Sequence, residues 1–285
     1  MRYSSLVDRM VGPGVAAWDI HYAAIAAQRA GRDVIVLSVG DPDFATPDFI
    51  TDAAVSALRD GDTHYSDVAG RPALRQSIAA LHERRFGQKV AAENVIVVAG
   101  AQNGLFAAAM CLLEKGDEVI TFDPVYVTYE ATLKSTGAVL VGVPTRPENG
   151  FRPLAGDIAA AITARTKAIF LANPSNPTGV VLTREELLAI AELAQAHDLW
   201  VVVDEVYEGP DLRARTPELR RAAGHGRAHP EHRQPIEIPC HDRLARRLDS
   251  RQPDAGRASG KPCAEHVLRP AGLRAGGRAR CGRAP

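Results

Sequence analysis

Ala168-Ile-Phe-Leu-Ala-Asn173-Pro-Ser-Asn176-Pro-Thr-Gly179 and, after one helical stretch, Leu199-Trp-Val-Val-Val-Asp204-Glu-Val-Tyr207 decide the fold. Each begins as a short apolar run without polar alternation and ends in a polar turn. A strand reads this way when helices cover both faces of its sheet. Arg184 to His197 lies between them with apolar residues at helical spacing. Strand, helix and parallel strand make one crossover unit, and the same alternation continues upstream.

Working back from there, a helix is expected across Pro153–Ile162 and strands across Val139–Pro144, Glu118–Phe122 and Val95–Ala99. The helices between them are Val127–Ser135 and Asn103–Leu113. Repeated strand–helix alternation predicts an α/β, doubly wound, mostly parallel sheet with helices on both faces. Nearer the N-terminus, Leu74, Ile78 and Leu81 mark a helix from about Arg71 to Phe86. Thr46-Pro47 opens another through Arg59, with Thr46 as cap and Pro47 at its first position. Asp33-Val-Ile-Val-Leu-Ser-Val39 is a β-rich run closed by Gly40-Asp-Pro-Asp43. Gly-Pro-Gly at 12–14 precedes a helix over Trp18–Ala30, and no internal repeat is present.

The formal net charge of +0 conceals a division after Glu208. The last 77 residues hold 16 Arg, one Lys, eight acids and no Phe, Tyr or Trp. The tail is therefore about +9 and the preceding part about −9. Nucleic-acid arms combine basic runs with aromatics or a folded reader. Here the arginines are scattered among Pro, Gly, Ala and His, a composition that predicts disorder and argues against a nucleic-acid partner. Cys111 beside Leu112 and Leu113 reads as a core residue, and the three tail cysteines lack ligand spacing, so no metal site is expected. No apolar run spans a membrane and no signal-peptide core is present, which makes a cytoplasmic setting the default expectation.

Four loops carry candidate chemistry. Val97-Val-Ala-Gly100-Ala-Gln-Asn-Gly104 joins a strand to a helix, where free N–H groups suit an anion, although a tight turn alone would also need small residues. Asp204 ends a buried strand, where a carboxylate is costly unless paired. A protonated pyridine nitrogen would serve as partner, and capping of the next turn is the plainer alternative. Two X-Pro bonds fix the loop that carries Asn176. Tyr126 follows another strand end, positioned to stack on a planar ligand or simply to pack. All four loops fall at carboxyl ends of parallel strands, where open α/β sheets bind ligands.

Together, Asn173-Pro-Ser-Asn-Pro-Thr-Gly179 and Val202-Val-Asp-Glu-Val-Tyr207 resemble the fold-type I, class I/II pyridoxal-phosphate aminotransferases. Leu37-Ser-Val-Gly-Asp-Pro-Asp-Phe44, Tyr65, Gly70, Leu74-Arg75 and Gly100-Ala-Gln fit the same pattern, which covers nearly all of residues 1–208. Met-Arg-Tyr-Ser at the start, Ala17-Trp-Asp-Ile-His-Tyr22 and Thr63-His-Tyr65 look most like the arginine–pyruvate subfamily. The resemblance implies pyridoxal 5′-phosphate as cofactor, with its phosphate on the backbone N–H groups of Ala101 and Gln102. It implies Tyr126 stacked on the ring, Asn176 and Tyr207 on the ring oxygen, and Asp204 on the ring nitrogen. Tyr65 would reach the phosphate in the partner subunit of a homodimer, and the Gly40 region would meet the substrate carboxylate. Amino-acid and 2-oxo-acid substrates follow, L-arginine and pyruvate among them. A carbon–sulfur lyase on the same scaffold is the related alternative.

One family element is missing. The Schiff-base lysine should follow Tyr207 by some thirty residues, yet the only lysine after Glu208 is Lys261, between Gly260 and Pro262. The chain therefore offers no catalytic residue of that kind. Codons permitted by Ile236-Glu-Ile-Pro-Cys-His-Asp-Arg-Leu-Ala-Arg-Arg-Leu-Asp249, read one base later, give Ser-Lys-Ser-His-Ala-Met-Thr-Gly-Trp-Arg-Val-Gly-Trp. That string is similar to the missing segment, with the lysine codon straddling Glu237 and Ile238. A frameshift near the codons of Gly209 and Pro210 accounts for both observations. The expected organisation is an N-terminal arm and small-domain segment over 1–46, a partial cofactor-binding large domain over 47–208, and an out-of-frame tail over 209–285. On this reading the large domain is incomplete, the C-terminal small domain is missing, and the polypeptide is an inactive remnant of an aminotransferase.

Overall fold

The computed structural model describes residues 2–40, 45–207 and 236–238. Its centre is a five-stranded, all-parallel sheet in the order β2-β1-β3-β4-β5. The strands are β1 (Glu118–Asp123), β2 (Val139–Pro144), β3 (Thr166–Ala172), β4 (Trp200–Asp204) and β5 (Ile236–Ile238). The helices are α1 (Ser5–Met10), α2 (Pro13–Arg29), α3 (Asp48–Arg59), α4 (Pro72–Phe86), α5 (Gly100–Leu112), α6 (Val127–Lys134), α7 (Ala155–Ala161) and α8 (Arg184–Ala196).

The continuous apolar runs are explained by two cores, one on each face. Successive side chains of a strand point to opposite faces. Val119, Ala168, Phe170 and Val202 meet Leu105 and Ala109 of α5 and Tyr129 and Leu133 of α6. Ile120, Ile169, Leu171, Val201 and Val203 meet Ile158 of α7 and Leu187, Ile190 and Ala194 of α8. Thr183 caps α8, accepting from the Glu186 N–H at 3.2 Å, while the Glu186 carboxylate accepts from the Thr183 N–H at 2.6 Å. Ile190 is 1% exposed at the centre of the second core, so Ile190→Ala is expected to cost about 2–5 kcal/mol of stability by urea unfolding.

Several sequence expectations change. Residues 33–39 form no strand, and Ile35 and Leu37 stand 83% and 88% exposed. Val95–Ala99 reduces to a single bridge residue at Val95, and the Val97 N–H donates to the Ala69 carbonyl at 3.0 Å. Both runs have β-forming side chains, but a strand exists only where a neighbour completes its ladder, and the described residues provide none there. Thr46 makes no cap: α3 begins one residue later, with Pro47 at the cap position and no side-chain hydrogen bond. Cys111 on α5 is half-buried.

β5 runs parallel to β4, with Val202 opposite Ile236 and Asp204 opposite Ile238. The tail's composition gives no sign of this strand. A free edge on β4 and a β-branched Ile-Glu-Ile run account for it. Otherwise the expectations for 209–285, Lys261 included, lie outside the described residues, as does Asp41–Phe44.

Candidate active site

The order β2-β1-β3 places a topological switch point between β1 and β3, since the chain leaves β1 in one direction for β2 and crosses back for β3. A cleft of about 660 Å³ opens where the loops after these strands diverge. Val125 and Tyr126 come from the loop after β1, Pro174–Asn176 from the loop after β3, and Tyr207 from the turn after β4. Gly40 with Ser38 and Val39, and Trp18 with His21, complete its walls.

Tyr126, Asn176, Tyr207 and Gly40 are thus brought together from four segments distant in sequence. The Asn176 amide Nδ2 donates to the Tyr207 hydroxyl at 3.0 Å, so these two reach one point from neighbouring strand ends. Burial holds the Tyr126 phenol above its usual pKa, with smaller contributions from Tyr207 and the Asp204 carboxylate. Tyr126 is therefore neutral near pH 7 and lies within electrostatic reach of both residues.

Asp204 is 6% exposed and is not itself among the residues that line the cleft. Its Oδ2 accepts from the Tyr129 hydroxyl at 3.0 Å, and its Oδ1 accepts from the Val206 N–H at 3.1 Å. The capping role considered for this residue is therefore real, but it uses only one oxygen. Among the described residues no Lys or Arg forms an ion pair with Asp204. A buried carboxylate in that condition is costly, and a cationic ligand would offset the cost.

α5 begins three residues before the expected Asn103. Gly100 takes a left-handed φ of +79°, which frees the chain to enter the helix directly, and Ala99 at the cap makes no side-chain hydrogen bond. Ala101 and Gln102 consequently lie in the first turn, where N–H groups have no partner within the helix. The Gln102 side chain is held by α6: the Thr128 hydroxyl donates to it at 2.7 Å, and its amide donates to Thr132. Ala101 and Gln102 do not line the cleft, nor does Tyr65, which is fully exposed on the surface. The described residues contain no cluster of three metal-ligating side chains and no helix long and apolar enough to cross a membrane.

The sequence reading missed Tyr129, and it quoted Asn173 in a motif without giving it a role. Tyr129, in the first turn of α6, meets the ring of Tyr126 at the helix cap edge to face, at 6.3 Å between ring centroids. Asn173 is 1% exposed; its N–H donates to the Asp204 carbonyl and its Oδ1 accepts from the Leu182 N–H, each at 2.9 Å. It ties the Asn176 loop to β4 and to the start of α8. Asn173→Ala leaves the buried Leu182 N–H unpaired and is expected to cost about 1–3 kcal/mol by thermal unfolding.

Residues 32–211 match the family described as aminotransferase class I and II. The matched stretch ends close to the change of composition after Glu208. The chain is 55% identical to the arginine–pyruvate transaminase of Pseudomonas aeruginosa over 207 residues, covering 73% of this chain and 53% of that protein. It is 41% identical to the aspartate/prephenate aminotransferase of Thermus thermophilus, covering 66% and 49% respectively. The fold is similar to the solved aspartate aminotransferase from Thermus thermophilus with maleate, at a TM-score of 0.76 and 37% identity, over 84% of this chain and 60% of that one. The chain spans about half the length of the curated relatives it matches.

Proposed function

The chain belongs to the class I and II aminotransferases, and on that premise we propose that residues 47–208 are the cofactor-binding part of a transaminase that uses pyridoxal 5′-phosphate. The proposed donor is an L-amino acid, L-arginine first, and the acceptor a 2-oxo acid such as pyruvate. The observation that carries this reading is the buried Asp204 carboxylate, held by Tyr129 and Val206 and lacking a cation among the described residues. Bound here, the cofactor would supply an electron sink through its protonated ring nitrogen.

The chain's own residues then divide the work. Asp204 holds the proton on the ring nitrogen, and Tyr129 fixes the carboxylate that does so. Asn176 and Tyr207, already hydrogen-bonded to each other, turn donors toward the ring oxygen. Tyr126 packs on the ring, and the open first turn of α5 takes the phosphate on the Ala101 and Gln102 N–H groups. The Gly40 segment meets the substrate carboxylate.

A homodimer belongs to the same proposal, with Tyr65 reaching the partner's site. α3 buries none of its residues, and Phe49 and Leu58 stand 75% and 60% exposed, as a helix awaiting a partner surface would leave them. The compartment proposed is the cytoplasm, and no membrane or nucleic-acid partner enters the reading.

This polypeptide is proposed to bind cofactor and substrate without completing amino transfer, because nothing after Glu208 supplies a lysine in the required setting. The frameshift near Gly209 is the proposed cause. Equilibrium dialysis of the full chain against pyridoxal phosphate, followed by an assay with L-arginine and pyruvate, tests both parts. Saturable binding with no alanine formed is the expected result. Absence of binding would end the cofactor assignment, and sustained turnover would end the remnant assignment.

A further inference from the structure

We propose that Trp18 and His21 of α2 form the wall that selects the substrate side chain, and that this wall takes a flat cationic head group of the guanidinium type. The inference rests on the transaminase reading above and goes beyond it by naming the residues and chemistry of selection.

The wall is built by a close approach. The Gly14 N–H donates to Glu130 Oε2 at 3.0 Å, and a Cβ on Gly14 would meet the Val127 carbonyl oxygen at 2.3 Å. Only glycine lets α2 seat this closely on the first turn of α6. Glu130 also accepts from Lys134 at 2.6 Å, so the anchoring carboxylate is itself fixed. Trp18 follows Gly14 by about one helical turn and His21 by two, which places both above the loop that bears Tyr126. The Gly-Pro-Gly turn thus acquires a purpose that its sequence did not reveal.

The wall is aromatic. Trp18 and His21 stand edge to face at 5.8 Å, and Tyr22 stands behind them at 6.3 Å from Trp18. His21 Nδ1 and Ser38 Oγ are 2.8 Å apart, a hydrogen bond that holds the imidazole against the Gly40 segment. No Lys or Arg is among the described residues lining the cleft. An acidic side chain would find no Lys or Arg on this wall, whereas a cation would find electron-rich ring faces. A planar guanidinium can also stack, which an ammonium cannot.

Intrinsic fluorescence and calorimetry test this on the full chain. The sequence has two tryptophans, and Trp200 lies in the sheet, so Trp200→Phe leaves Trp18 as the sole reporter. With saturating pyridoxal phosphate, L-arginine is expected to change Trp18 emission saturably and to bind more tightly than L-norleucine or L-aspartate. Trp18→Leu keeps apolar area but removes the ring. It is expected to weaken L-arginine about 10-fold, to leave L-norleucine within about twofold, and to leave the pyridoxal phosphate Kd unchanged. Trp18→Phe should restore most of the preference. If cofactor binds but Trp18→Leu preserves the arginine preference, the wall assignment falls alone. If pyridoxal phosphate fails to bind the unaltered chain, the transaminase reading falls and the wall assignment with it.

Discussion

Deleting one base at the Gly209–Pro210 codons is expected to convert an inert chain into an active transaminase. On the codons those residues permit, the repaired frame would read Ser-Lys-Ser-His-Ala-Met-Thr-Gly-Trp where Ile236–Asp249 now stands, and the proposed lysine amine would both bond the cofactor and move the substrate's proton. Positioned proton transfer alone is worth about 10²–10⁴-fold. The repaired protein should therefore exceed the unaltered chain by at least about 10³-fold in alanine formed from L-arginine and pyruvate. Borohydride should fix the cofactor to the new lysine, identified by peptide mass. Equal activity in the two chains, or cofactor fixed to Lys261 of the unaltered one, would remove the frameshift from the account.

Replacement of Asp204 by Asn should separate binding from stability. The carboxylate is buried and, among the described residues, unpaired with any cation, so its charge serves the ligand more than the fold. Asn keeps an acceptor for the Tyr129 hydroxyl or the Val206 N–H and removes the desolvated charge. The thermal midpoint of the unliganded chain should hold or rise. The pyridoxal phosphate Kd should weaken about 100-fold, the scale of losing one member of a buried charge pair. Asp204→Ala behaves differently, because both donors lose their acceptor and about 1–3 kcal/mol of stability goes with them. An unchanged Kd in Asp204→Asn would show that the carboxylate does not face the cofactor.

Much of the site was legible because strand ends announce themselves. Asp204 and Asn173 each follow a continuous apolar run, and parallel strands bring such ends to one edge. Asn176 and Tyr207, assigned to a shared ring oxygen, are hydrogen-bonded to each other. Tyr129 was not legible as a partner of Asp204, since 75 residues separate them and only the packing of α6 on the sheet aims the phenol. Trp18 and His21 belonged to a stretch that carried the resemblance, but their place in the cleft was not legible, because a helix does not declare which of its faces will meet a cleft.

The failed strands follow the same logic. Asp33–Val39 and Val95–Ala99 have the right residue types, yet a ladder is a property of two chains of backbone. Without neighbours among the described residues, Ile35 and Leu37 stay exposed and the Val97 N–H turns to a loop carbonyl.

The sequence by itself determined the family, the alternation of strands and helices, the loops that carry chemistry and the change of composition after Glu208. Periodicity, turn residues and composition are local, so one dimension suffices to read them. Tertiary structure alone decided which runs became strands, that Asp204 is held by Tyr129, and that an aromatic wall from α2 closes the cleft. Those outcomes depend on how distant segments pack and on which backbone groups find partners, and that information exists only once the chain is folded.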